Sequence, residues 1–222
     1  NTRSIAIDTA QLVDDLADEH GMQGHATVDN PTVSNPKYAE WKAADSGESD
    51  YYLVNKRYRA LVGSINYISA VGRPDIALAA SMVSRCNNNP GAKAYHAAKR
   101  IVSYLRGTKD RRLTWVGHAF KPVPWDKFNL KIFVDADHMG SGERSQTGIS
   151  SFVSSDHEPL SFQGGAIDWT SKRQGCTALF AEPPDQRYAE DDSVVVAAHS
   201  SDAELIAISD TVPRSRHQRL LL

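Results

Sequence analysis

The spacing of apolar residues changes period once along this chain, and that change limits what it can fold into. Between Tyr58 and Gly107 the spacing is helical: Leu61, Ile65 and Ile68 share one face, with Val62 beside them. Gly72-Arg73-Pro74-Asp75 interrupts the pattern, and Pro74 suits the first turn of a new helix, where its missing N–H costs nothing. Ile76, Ala80 and Val83 make a second stripe, closed by Asn87-Asn88-Asn89-Pro90. Tyr95, Ala98, Val102 and Leu105 make a third, which stops at Gly107. Beyond residue 129 the period becomes that of strands. Leu130 to Val134, Gly148 to Val153 and Ala166 to Trp169 read as strands, with a turn at Gly140-Ser141-Gly142. Val194 to Ala198 is an apolar, β-branched run, and Ala203 to Ile208 opens a helix. Three helices with short connections can bury a core of their own, and strands followed by a helix belong to an α/β or α+β unit. The expected class is mixed α/β, a small helical unit ahead of a sheet-bearing one.

The remaining segments are less regular. Ile5 to Leu16 reads as a short strand or turn and then an amphipathic helix carrying Leu12, Val13 and Leu16, ended by a left-handed Gly21. His25 to Asp50, with Pro31 and Pro36, reads as an irregular connection, and residues 112–129 as a tether. The chain of 222 residues has room for one large domain or two modest ones. It has no bilayer-length apolar run and no signal pattern, so no membrane partner is expected. It starts at Asn1-Thr2-Arg3 without Met, which suggests a piece of a longer polypeptide, and Cys86 and Cys176 read as reduced thiols of an intracellular protein.

A net charge of -2 argues against a globally basic nucleic-acid binder, but the charge is unevenly placed. Lys93, Lys99, Arg100, Arg106, Lys109, Arg111 and Arg112 crowd one stretch, in which Asp110 is the sole acid. The first fifty residues carry Asp14, Asp15, Asp18, Glu19, Asp29, Glu40, Asp45, Glu48 and Asp50. The basic stretch is either a solvated helix face or a surface that tracks phosphates and releases their counterions.

Two acids stand in readable contexts: Asp135 at the close of an apolar strand, and Glu204 at the opening of a helix. Carboxylates delivered by a strand and a helix suit Mg²⁺, a hard ion that takes oxygen ligands and keeps positions for water and substrate. Each also has a plain reading, as a solvated strand end and as a first-turn acid favoured by the helix dipole. His138 and His199 have no second ligand at useful spacing and are assigned no metal. Ser200-Ser201 suits a helix cap, and Trp115 and Trp169 suit packing.

Several motifs, in order, resemble one family. They are Tyr58-Arg59-Ala60-Leu61-Val62-Gly63-Ser64-Ile65-Asn66-Tyr67, Gly72-Arg73-Pro74-Asp75-Ile76-Ala77, Ala97-Ala98-Lys99-Arg100 and Tyr104-Leu105-Arg106-Gly107-Thr108. Asp135-Ala136-Asp137, Ser145-Gln146-Thr147-Gly148 and Trp169-Thr170-Ser171-Lys172-Arg173-Gln174 follow. Together they resemble the Pol polyprotein of copia-type LTR retrotransposons, from about Ile5 to Leu221. The resemblance implies thumb-like helices from the C-terminal region of reverse transcriptase over 1–111, the tether, and the N-terminal part of a ribonuclease H-like domain over 130–222. Residues 175–193, with Pro183-Pro184, then stand as an insertion. It also implies hydrolysis of the RNA strand of RNA–DNA hybrids, with Asp135 and Glu204 as catalytic and metal-holding acids for Mg²⁺, or Mn²⁺ in its place. Asp137 is expected on the opposite strand face from Asp135 and is given no metal. Lys99, Arg100, Arg106, Lys172, Arg173 and Gln174 are the implied nucleic-acid contacts. The other implied partner is the remainder of the polyprotein, in a cytoplasmic particle or the nucleus. No acid follows Asp210, so a complete metal cage is not expected within this chain. The alternative is a catalytically dead, nucleic-acid-binding relic of a retroelement.

Overall fold

A computed structural model describes residues 4–33, 37–116, 129–137, 145–154, 165–174, 204, 207 and 208. Strand β1 (Ser4–Ile7) leads into helix α1 (Ala10–Glu19), which buries Val13, Leu16 and Ala17. Gly21 follows at φ +62°, the left-handed conformation expected of it. The connection expected to be irregular holds structure: a 3-10 turn at Tyr38–Trp41, helix α2 (Ser46–Asp50), and a π-helical turn at Tyr51–Asn55. Helix α2 exists because Asp45 accepts the Glu48 amide while the Glu48 carboxylate accepts the Ala44 amide, each at 2.8 Å. Glu48 reaches further, to the Ala92 amide at the start of the next long helix.

Helices α3 (Tyr58–Gly72), α4 (Ala77–Ser84) and α5 (Ala92–Gly107) follow the predicted stripes, with a 3-10 turn at Pro74–Ile76. Leu61, Ile65, Ile68, Ile76, Val83, Ala98, Val102 and Leu105 lie in one core with Val13 and Leu16 from α1. Each is at most 3 % exposed, so burial of these side chains is the main force holding the helices together. Tyr58 is fully buried and donates its hydroxyl to the Val83 carbonyl at 2.8 Å.

Strand β2 (Leu113–Val116) opens the stretch expected to be a tether, and it pairs antiparallel with β1, Ile5 opposite Trp115. Strands β3 (Asn129–Asp137), β4 (Gln146–Ser154) and β5 (Ala166–Arg173) form an antiparallel meander, each longer than the apolar run that announced it. The sheet lies against the helices. Trp169 donates its indole N–H to the Ser69 carbonyl at 2.9 Å, and Gln146 donates to Ser81 at 3.2 Å while accepting from Arg85. Among the described residues no helix is long and apolar enough to cross a membrane. Val194 to Ala198 and the 175–193 insertion lie outside the described residues.

Candidate functional site

Register decides what shares a face with Asp135. Side chains alternate along a strand, so Phe133, Asp135 and Asp137 point the same way. Opposite them stand Ser150, Gly148 and Gln146 of β4, and beyond those Trp169, Ser171 and Arg173 of β5. The expectation that Asp137 faces away from Asp135 is therefore incorrect: residues two apart share a strand face, and both acids line one groove. Strand β3 also runs through Asp137, so Asp135 lies within the strand and not at its end.

The groove has a volume of about 620 Å³. Its floor is this sheet face and its other wall is Pro74 of the 3-10 turn with Ala77 and Leu78 at the start of α4. Both carboxylates are exposed. Gly148, between Asp135 and Ser171, leaves the middle of the face open: a Cβ there would meet nothing nearer than the Asp135 carbonyl at 3.9 Å. Glu204 is helical and exposed, with Ala207 one turn on fully buried. Oxygen donors alone suit Mg²⁺ better than a softer ion. Among the described residues no three His, Cys, Asp or Glu groups converge as a metal cage.

The predicted nucleic-acid contacts divide. Lys172 and Arg173 are exposed on β5. Gln174 is only 4 % exposed, donating its side-chain amide to Thr147 at 3.1 Å and its backbone amide to the Ser145 carbonyl at 2.8 Å. That burial makes it a clasp between β4 and β5 and removes it from any contact surface. On α5, Arg100 donates to the carbonyls of Asn30 and Thr32 at 3.0 and 3.1 Å, and Arg106 donates to those of His25 and Gln23. Lys99 sits 3.3 Å from His25 Nε2 and over the Tyr95 ring.

Two motifs converge in a feature that spacing alone does not show. Arg73 is 1 % exposed and grips Asp75 with a bidentate fork, Nε to Oδ1 at 2.9 Å and an η-nitrogen to Oδ2 at 2.8 Å. The same guanidinium donates to the Thr108 carbonyl at 3.1 Å and hydroxyl at 2.6 Å. Tyr104 donates to Asp75 at 2.8 Å and accepts from Arg111 at 2.8 Å. Burial would raise the Asp75 carboxyl, but hydrogen bonds from Arg73 and Tyr104, with the Arg73 charge, hold it below the usual carboxylate range. Gly72-Arg73-Pro74-Asp75 and Tyr104-Leu105-Arg106-Gly107-Thr108 are thus two halves of one tie between α3 and the end of α5.

Comparison with known proteins finds relatives among transposon polyproteins. The chain is 31 % identical over 180 residues to the "Retrovirus-related Pol polyprotein from transposon TNT 1-94" of Nicotiana tabacum, covering 80 % of this chain and 12 % of that protein. It is 29 % identical over 150 residues to the corresponding polyprotein from transposon RE1 of Arabidopsis thaliana, covering 66 % of this chain and 9 % of that one. It is 32 % identical over 129 residues to "Secreted RxLR effector protein 161" of Plasmopara viticola, covering 57 % of this chain and 80 % of that protein. No family model and no solved structure matches. The chain belongs to the copia-type, retrovirus-related Pol polyproteins of transposons.

Proposed function

We propose that this chain joins the thumb-like helices of a retrotransposon reverse transcriptase to a ribonuclease H-type sheet, and that it serves hydrolysis of the RNA strand of RNA–DNA hybrids inside the cell. The observation that carries this reading is Asp135, exposed on the first strand of an antiparallel meander and facing an open groove. Asp135 and Glu204 would hold Mg²⁺ or Mn²⁺, and Asp137 adds a further negative charge to the groove that Asp135 lines. When bound, the ion supplies an activated water and offsets charge on the leaving oxygen. Gly148 leaves space beside Asp135 for a strand to approach, and Arg173, on the same face at the far edge of the sheet, offers a cation to its phosphates.

A second reading, a catalytically dead nucleic-acid-binding relic, is favoured by the missing three-group metal cluster among the described residues. With two carboxylates an ion keeps mostly water ligands and binds weakly. Mg²⁺-dependent cleavage of a labelled RNA–DNA hybrid separates the two. Hydrolysis by the wild-type chain that drops to background in Asp135→Asn and Glu204→Gln supports catalysis. Tight hybrid binding without hydrolysis supports the relic, and cleavage that survives Asp135→Asn removes Asp135 from its role.

A further inference from the structure

We infer that residues 23–33 form an intramolecular strap that occupies, in the free protein, the face of α5 on which a nucleic-acid phosphate backbone would lie. This rests on the reading that the chain binds nucleic acid. All seven cations of the basic stretch have partners within the chain. In its middle, Arg100 and Arg106 donate to backbone carbonyls of Gln23, His25, Asn30 and Thr32, oxygen acceptors standing where phosphate oxygens would stand. At its ends Lys93 pairs with Glu40, Lys109 with Asp14 at 3.2 Å, and Arg112 with Asp8 at 2.8 Å. Lys99 meets His25, and Arg111 meets Tyr104 and Asp75. Three acids of the first fifty residues, Asp8, Asp14 and Glu40, are therefore folded onto the basic stretch.

Apolar anchoring of the strap is confined to Met22 and Val28, and the rest is held by the Arg100 and Arg106 hydrogen bonds. Met22, just before it, is 1 % exposed, and Val28 packs partly against the core. Gln23, Gly24, His25, Ala26 and Thr27 are all exposed, so little apolar area opposes their release. A phosphate backbone and the strap compete for the same N–H donors, so apparent affinity is the intrinsic affinity reduced by the fraction of molecules with the strap released.

Gly107 gives a test that changes no charge. A Cβ at this position would lie 2.9 Å from Thr27 Cβ, closer than real Cβ atoms approach. Gly107→Ala must push the strap away while α5 gains a better helix former. Gly63→Ala is the control, an exposed helical glycine with nothing within 4 Å of the added atom. The readouts are anisotropy of a labelled RNA–DNA hybrid at low salt and amide hydrogen exchange over 23–33. Gly107→Ala is expected to bind at least about fivefold tighter than wild type, with faster exchange over 23–33, while Gly63→Ala changes neither. Saturating hybrid should also speed exchange there in the wild-type protein. Wild-type binding that Gly107→Ala does not tighten, or protection of 23–33 by the hybrid, overturns the strap alone. No binding by any of the three proteins overturns the nucleic-acid reading and the strap with it.

Discussion

Removing the Arg73 side chain should be among the costliest single changes in the helical half. Arg73→Ala strands Asp75, whose side chain is 31 % exposed, and takes donors from both oxygens of Thr108. Breaking one side of a buried ion pair costs about 3–5 kcal/mol. Asp75 keeps the Tyr104 hydroxyl and has Arg111 at 3.9 Å, so the lower end applies, about 3 kcal/mol. With a urea slope of about 2 kcal/mol per molar, the midpoint of unfolding falls by about 1.5 M. Arg73→Lys keeps the charge and loses the fork, and should fall between the two. In Arg73→Ala/Asp75→Ala no stranded carboxylate remains, so the double variant should lose less than the separate losses summed, with a coupling of about 2 kcal/mol.

The pH dependence sharpens this test. In the wild type the Asp75 carboxyl is held below its ordinary value, so its contribution is present above about pH 4 and is lost as pH falls through the lowered value. Without Arg73, burial is opposed by fewer groups and the Asp75 pKa moves up, so acid costs the variant less than it costs the wild type. The difference measured at neutral pH by far-ultraviolet circular dichroism should therefore shrink steadily toward about pH 3. A loss below about 1 kcal/mol at pH 7, or one that ignores pH, would show that Asp75 does not depend on this fork.

Three further outcomes follow from the packing. Tyr58→Phe takes one of two donors from the Val83 carbonyl, which keeps the Cys86 amide at 3.1 Å, and should cost about 1 kcal/mol in urea unfolding, although the ring remains. Burial pushes the Cys86 thiol up to about 11, against weaker pulls from Lys42 and Arg85, and the residue is 3 % exposed. In a Cys176→Ser background, alkylation at pH 8 should be at least about a hundredfold slower in the folded protein than in denaturant. Gly148→Val places a β-branched residue in open space at mid-strand, so stability should hold or rise by up to about 1 kcal/mol. The same side chain fills the groove beside Asp135, so Mn²⁺ and hybrid binding should fall, and unchanged binding would locate the site elsewhere.

The helices were legible because their information is local. Leu61, Ile65 and Ile68 announce a buried face by spacing alone, and that face is buried. Strand β2 was not legible, because Leu113–Val116 becomes a strand by pairing with Ser4–Ile7, over a hundred residues away in sequence. Helix α2 carried a usable signal that went unread, the Asp45 and Glu48 capping pair. The basic stretch was only partly legible, for a different reason. Charge alone does not distinguish cations waiting for phosphate from cations already satisfied, and Arg100 and Arg106 are satisfied by main-chain carbonyls that have no sequence signature.

The motifs that carry the family resemblance are mostly structural. Arg73, Asp75, Tyr104 and Thr108 close one buried network, and Gly107 gives room to Thr27. Gln146 and Trp169 fasten the sheet to α4 and α3, and Gln174 clasps β4 to β5. None of these roles requires a metal or a substrate. A chain that had lost its chemistry would still need them to fold, because stranding a buried polar group costs more than its bond contributes. Family membership therefore bears strongly on the fold and lightly on the activity. The residues able to separate an enzyme from a relic are the few that the scaffold can do without: the exposed Asp135 and Glu204, and Gly148, whose missing side chain keeps the groove open.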